Sequence, residues 1–425
     1  MSRLADLIAE LCPDGVEYRP LGELGSFFGG LSGKTKSDFV EIEDARPFVT
    51  YREVYSLIEI DRCPQGRVLV LPHEKQLALC RGDVLFTGSS ENADEVGLTA
   101  VVTTDFSEPV YLNSFSICLR WYDATFDSGY AKYLFTSSEV RRQIRRCASG
   151  VTRFNLSKKR LEGVSIPVPP LEVQREIARI LDQFTMLEAE LEAELEARQA
   201  QYEHYRNHLL SYDSLAARGP VEMVKLGDIA SIQRGRRFTL DQLGGTGCPA
   251  IHYGQIYTHY GVSTTSVLSY IEESFSSSLR FALQGDVIVA AVGETVEDVG
   301  IGVAWLGADA VAYHDDSFAL HHEQDPRYLS YWLRSDEYHR QKRSFVSQGK
   351  VKRLSAKGLA AVKLPLPNLS EQRRIADLLD RFDALVNDIT SGLPAEIAAR
   401  RAQYEHYRDR LLSFPEKAVS RSDAS

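Results

Sequence analysis

Three groups of residues in this sequence have types and spacings that could do chemistry. "GGLSGKT", Gly29 to Thr35, has the glycines and the Gly-Lys-Thr ending of a loop that cradles phosphate. The spacing fails, because a glycine is needed five residues before Gly33 and Phe28 stands there. What remains is a flexible loop offering Lys34 and Lys36 to a phosphate backbone. The second group is acidic: "SSENADEVG" and "GETVEDVG" place Glu91 and Glu294 alike, each followed by a pair, Asp94 and Glu95 or Glu297 and Asp298. Without a partnering His or Lys pattern, a structural or DNA-facing loop is the better reading than a metal or general-base site. Ser89 and Ser90 precede the first of these acids as donors to phosphates or bases.

The third group is basic. Arg141, Arg142, Arg145, Arg146, Arg153, Lys158, Lys159 and Arg160 lie within twenty residues that contain no Asp or Glu between them. Arg340, Lys342, Arg343, Lys350, Lys352, Arg353 and Lys357 form a second concentration. The net charge of -10 argues against a nucleic-acid partner, but its segregation lets basic faces meet phosphate on an acidic chain. Arg153, Lys158, Lys350, Lys352 and Arg353 are the preferred phosphate contacts. Arg234, Arg236 and Arg237 in "QRGRRFTLDQLGG" suit phosphate contacts or guanine readout. No catalytic constellation and no metal site is expected. The six cysteines are scattered without a CxxC pair, which fits a reducing cytoplasm. The start lacks the unbroken apolar core of a signal peptide, and no run approaches membrane-spanning length.

These groups recur because the chain repeats itself. "AQYEHYR" stands at Ala200 to Arg206 and again at Ala402 to Arg408, a shift of 402 - 200 = 202. "GDVLFTGSSENADEVG" from Gly82 answers "GDVIVAAVGETVEDVG" from Gly285, a shift of 203. "SIPVPPLEVQREIARILDQF" from Ser165 answers "KLPLPNLSEQRRIADLLDRF" from Lys363, a shift of 198. The near-constant shift makes the halves divergent copies of one architecture.

Short β-rich runs such as "GDVLF", "FSICLRWY", "GDVIVAAV" and "SFALHH" alternate with Gly, Asp and Ser turns, and helices are expected around Tyr130 to Arg146 and Pro326 to Arg343. The fold class is α+β, with two pseudo-symmetric globular α/β domains, each followed by a long helix. The expected boundaries are 1–167 (first domain, with an N-terminal helix), 168–213 (first long helix), 214–366 (second domain), 367–414 (second helix, broken near 391–394 by Gly392 and Pro394) and 415–425, a disordered tail. Apolar residues step by threes and fours through Ile177, Ile180, Leu181, Phe184, Leu187, Leu191, Leu195, Tyr202, Tyr205 and Leu209. The second helix repeats the stripe through Ile375, Leu378, Leu379, Phe382, Leu385, Tyr404 and Tyr407. Each seam should pack on the other as an antiparallel coiled coil. His204, Arg206, His406 and Arg408 should point away from it.

With these stretches, the opening "LIAELCPDGVEYRPLGEL" and the order domain, helix, domain, helix, the chain resembles the specificity subunits of type I restriction-modification systems. The resemblance implies two target-recognition domains, each reading half of a bipartite asymmetric site in double-stranded DNA, held apart by spacer helices. It implies as partners two adenine methyltransferase subunits, which bring S-adenosylmethionine, and a restriction and translocase subunit, which brings ATP and Mg. This chain would bind no cofactor, catalyse nothing and involve no membrane. The competing expectations are a coiled-coil scaffold that gathers enzymes without reading DNA and, with less support, a self-sufficient nuclease.

Overall fold

The computed structural model describes residues 2–244, 246–387 and 392–417. The chain forms two compact units, Met1–Leu191 with Ile397–Ser425, and Glu192–Glu396.

The first unit is built on a five-stranded sheet in the order Gly25–Gly29, Ser116–Trp121, Val84–Thr87, Thr99–Val102, Glu59–Ile60. Its pairings are antiparallel except the last, which is parallel. Val84–Thr87 and Thr99–Val102 are buried on both faces, which explains why they read as continuous apolar runs rather than alternating ones. The one or two helices expected around Tyr130 to Arg146 are two, Ser128–Leu134 and Ser138–Arg146. Among the described residues the strand Ser165–Val168 pairs with Glu17–Pro20 alone, a two-stranded ribbon whose edges tolerate Pro167 and Pro20. An N-terminal helix, Ser2–Leu11, buries Leu4 in the same core as Leu412 and Phe414. Pro415 and Lys417 exchange backbone hydrogen bonds with Val16; the rest of the expected tail, 418–425, lies outside the described residues.

The second unit repeats the plan with Ala230–Arg234, Ser317–His322, Val287–Ala290, Gly302–Trp305 and Ser263–Thr264 in the same order and senses. The expected helical stretch is again two helices, Pro326–Trp332 and Asp336–Lys342. Ser335 separates them, accepting from the Tyr338 N–H as an N-cap.

In both units the first strand of the main sheet is followed by a glycine pressed against the backbone at the end of a strand of another sheet. A Cβ on Gly30 would lie 1.9 Å from the Asn113 carbonyl oxygen, and one on Gly235 would lie 2.1 Å from that of His314. Gly235→Ala must therefore push two strands apart, and we expect a loss of about 2 kcal/mol or more, read as a lower thermal midpoint. An unchanged midpoint would show that the close approach is not required.

A helix of 39 residues, Leu171–Leu209, matches the expected length. Its part up to Leu191 belongs to the first unit and the remainder to the second. The second helical stretch comprises Leu369–Asn387 and Leu393–Leu411. The expected break falls between them; of its residues, Ser391 lies outside the described ones, while Gly392 is a bend and Pro394 sits in the first turn of the new helix.

Candidate nucleic-acid interface

At one end of the first unit's sheet, Ser89–Ser90 pairs with Phe154–Leu156, Asn155 facing Ser89 and Phe154 facing Ser90. This small ribbon gathers predicted residues. Arg153 Nη2 donates to Ser89 Oγ at 3.1 Å, and Ser90 Oγ donates to Glu95 at 3.1 Å. The Tyr51 hydroxyl donates to the Ser89 carbonyl at 2.7 Å. Burial raises the Tyr51 pKa, so its hydroxyl stays protonated. Tyr51 opens the helix Tyr51–Ser56, whose start Thr50 and Glu53 close as a capping box. Arg153 and Lys158 are exposed.

The Gly-Lys loop is a correction. Lys34 is not a free cation: its side chain is 3% exposed, ion-paired with Glu74 and bonded to the Leu69 carbonyl at 2.6 Å. Breaking that pair to reach a phosphate would strand Glu74. Lys36 is exposed and remains available.

The second unit builds the same ribbon from Val292–Gly293 and Lys352–Arg353. Arg353 and Arg234 both reach Asp316, at 3.2 and 3.4 Å, and Arg234 Nε donates to the Asp315 carbonyl at 2.6 Å. The shared carboxylate fixes two guanidinium groups that would otherwise repel. Arg236, Arg237 and Lys350 are exposed, and Lys352 is half-buried on its strand.

Sequence reasoning missed what lies beside these arginines. The His252 and His314 rings are 4.7 Å apart, with Phe238 5.0 Å and Tyr253 5.3 Å from His314. Burial, with the neighbouring His314, pulls the His252 pKa down to about 4, so the ring is neutral at pH 7. His314, Asp315 and Asp316 also bring potential metal ligands within 4.8 Å. That set is already engaged, since His314 Nδ1 accepts from the Asp316 N–H at 3.0 Å while the Asp316 carboxylate holds both arginines.

The acidic loops are tied to the basic helices behind them, while Glu91 and Glu294 are exposed. Glu95 accepts from Ser90 and Asn92, and Asp94 pairs with Arg145. Arg141 donates to the carbonyls of Asp94, Val96 and Gly97 from behind. In the second unit Lys342 does this for Glu297 and Val299, while Arg343 lies 3.7 Å from Glu297.

The helix-packing residues meet as expected in most places. In the first unit Phe184 packs on Tyr404 and Tyr407, with centroids 6.5 and 5.7 Å apart, while Glu188 pairs with Arg401. One number rises as the other falls, so these helices run antiparallel. In the second unit Tyr205 stacks on Phe382 at 5.7 Å, and Tyr202 is 6% exposed. Leu191 is half-buried. Two expectations fail. Leu187 and Leu385 are 48% and 45% exposed; at about 100° per residue each sits roughly 60° round the helix from Phe184 or Phe382. Arg206 and Arg408 do not turn away but lie over Tyr202 and Tyr404, at 5.6 and 5.8 Å.

Each copy of the heptapeptide also ends at a helix cap. Asp409 accepts from the Ser138 N–H at 3.1 Å, and Asn207 accepts from the Asp336 N–H at 2.9 Å. Both capped helices carry the basic residues noted above.

Compared with known proteins, the sequence matches the model of the type I restriction modification DNA specificity domain twice, over residues 13–197 and 219–399. The chain belongs to that specificity family. The EcoR124I/EcoR124II specificity subunit of Escherichia coli is 34% identical over 268 residues, 61% of this chain and 65% of that subunit. The chain thus aligns with a little under two thirds of that relative. A putative type I restriction enzyme specificity subunit of Haemophilus influenzae is 31% identical, over 63% of this chain and 68% of its own length. Among solved structures, a chain from work on assembly and conformational transition of the type I R-M system has TM-score 0.68 at 16% identity, covering 94% of this chain and 98% of its own. The HsdS subunit from Thermoanaerobacter tengcongensis has TM-score 0.51 at 17% identity, with 95% and 96% covered. These likenesses show that the specificity family's fold extends over nearly the whole chain. No helix among the described residues is long and apolar enough to cross a membrane.

Proposed function

We propose that this chain reads a bipartite, asymmetric site in double-stranded DNA, each unit taking one half. The supporting observation is that both units set basic residues at one equivalent strand pairing: Arg153 and Lys158 flank Phe154–Leu156, which pairs with Ser89–Ser90, and Lys352–Arg353 itself pairs with Val292–Gly293. Arg153, Lys158, Lys36, Arg236, Arg237, Lys350 and Lys352 position the duplex backbone, because cations on fixed strands and turns set register without reading sequence. The residues around them differ between the units, Tyr51 and Ser89 in one and His252, Tyr253 and His314 in the other, so the two half-sites differ too.

The chain itself is non-catalytic. It positions two adenine methyltransferase subunits, which bind S-adenosylmethionine, and a translocase and nuclease subunit, which uses ATP and Mg. A methyltransferase must take its adenine out of the stack, and a subunit gripping backbone on either side supports that extrusion. The complex works in the cytoplasm.

The test is to co-express the chain with its neighbouring methyltransferase gene in a host lacking that methylation, and to map modified adenines by single-molecule sequencing. A two-part motif with a fixed gap is the expected result. A stable complex that methylates nothing would favour a scaffold that gathers enzymes without reading DNA.

A further inference from the structure

The two repeats keep a positive charge at one place while changing the residue that supplies it. Strand register fixes the correspondence. Gly29 faces Ile117, which also faces Phe86; Arg234 faces Phe318, which also faces Val289. Gly29 and Arg234 are therefore the same position on the first strand of each main sheet.

The neighbouring position corresponds just as closely. Lys158 is the first residue of the helix Lys158–Leu161, behind the cap Ser157. Ala356 is the first residue of the helix Ala356–Ala361, behind the cap Ser355. In the first unit Lys158 reaches over the strand, its Nζ 3.4 Å from where a Gly29 Cβ would stand. In the second unit the strand carries Arg234 and the helix carries alanine, and both line one cavity of about 560 Å³ with Arg353. The long cation and the small residue have exchanged places, and the site of the charge has not moved.

Folding does not demand this. Lys158 and Arg234 are both exposed; Arg234 pairs with Asp316, but Arg353 pairs with the same carboxylate, and exposed charges of this kind contribute little to folding and need no replacement elsewhere when lost. An anion at that spot would need one. Without a cation at this position the anion would lose its partner there. We infer that this position is a phosphate seat on each unit, filled by Lys158 in the first and Arg234 in the second. The inference rests on the DNA-reading proposal and adds which residues position the backbone. It also says that the two units solve one electrostatic requirement from different strands of sequence.

The seat predicts rescue by transplantation. Binding of the full chain to two fluorescent duplexes, one carrying the mapped motif and one unrelated, would be measured across 0.05 to 0.3 M salt. Lys158→Ala should weaken binding to both about five- to tenfold near 0.1 M and reduce the salt slope by about 0.9. Adding Gly29→Arg, which copies the second unit, should restore affinity to within about twofold together with the slope. Arg234→Ala and its partner Ala356→Lys should behave likewise. Since Lys158 is exposed, the Lys158 pair tests the idea without threatening the fold, and thermal midpoints confirm that each variant is folded.

Wild-type binding left unchanged by Lys158→Ala would overturn the inference alone. So would a folded double variant as weak as the single. A wild-type chain that binds neither duplex would overturn the DNA-reading proposal, and the seat with it.

Discussion

Alanine at Arg153, Lys158, Lys350 and Lys352 together should weaken DNA binding by the full chain about a thousandfold at 0.1 M salt. Each phosphate neutralised by a Lys or Arg releases condensed counterions, contributing about 0.9 to the slope of log K against log salt. Four contacts therefore remove about 3.6 from that slope. None of the four is tied into a described ion pair, and three of them are exposed, so the substitutions cost the folded units little. Arg153 gives up one hydrogen bond, to Ser89. The decisive feature is uniformity: a motif duplex and an unrelated duplex should lose affinity in parallel, because backbone contacts carry no sequence information. Titration of both duplexes at several salt concentrations checks this. Loss confined to the motif duplex would mean that these residues touch bases. Loss under tenfold, with an unchanged slope, would place the phosphate path elsewhere on the units.

The choice of residues shows what a single sequence makes legible. The repeat fixes the ribbons: "TGSSENADEVG" and "AVGETVEDVG" are offset by 203 and do form equivalent strands and loops. The sheet strands were visible because two of them in each unit are buried on both faces and read as apolar runs. The long helix was visible from its stripe of threes and fours.

What stayed hidden depends on contacts between distant residues. Lys34 looks like a loop cation until Glu74, forty positions away, is found holding it. Phe238, His252 and His314 come together from three separate stretches, and no spacing announces them. Arg206 and Arg408 were misplaced because a cation beside an apolar seam can lie over an aromatic ring, which helical periodicity does not record. The heptapeptides mislead in a different way. Copy one follows the first domain in sequence, yet Tyr202 and Asn207 belong to the second unit, and Tyr404 and Asp409 to the first. Sequence repetition records which segments are equivalent; packing decides which domain each serves.

The second unit should gain about 2 to 3 kcal/mol of stability between pH 7 and pH 9, and Lys342→Met should abolish that gain. Lys342 is fully buried at the end of the helix Asp336–Lys342. Its ammonium donates to the carbonyls of Glu297, at 3.0 Å, and Val299, and no carboxylate among the described residues lies within ion-pair distance. Burial pushes its pKa down to about 7; Glu297 and Asp298 oppose that shift, and Arg343 adds to it. The Tyr338 ring lies 5.3 Å away, and His339, lowered to about 4, stays neutral throughout the window. In the unfolded chain the lysine titrates near its ordinary value of about 10.4. Between pH 7 and 10 the unfolded state therefore holds the extra proton, so stability rises with pH by up to about 1.4 kcal/mol per unit. Below pH 7 both states are protonated and the cost of the buried charge is constant. Near pH 7, methionine relieves that charge but leaves two carbonyls without a donor, and these effects largely offset each other. At pH 9 the variant should be the weaker by about 2 to 3 kcal/mol. Urea unfolding of both proteins at pH 7, 8 and 9 reads the difference, and parallel stability curves would refute it. The first unit supplies the contrast. There the corresponding loop is held by Arg141, one helical turn away from the position of Lys342, with Ile144 in the lysine's place. A guanidinium keeps its proton across this range even when burial lowers its pKa. Val292–Gly293, which pairs with Lys352–Arg353, adjoins the loop that Lys342 holds, so the same substitution is informative about binding. Because Lys342, which braces the second unit's loop, titrates near neutrality, any pH effect on DNA binding that disappears in Lys342→Met would be assigned to the second unit.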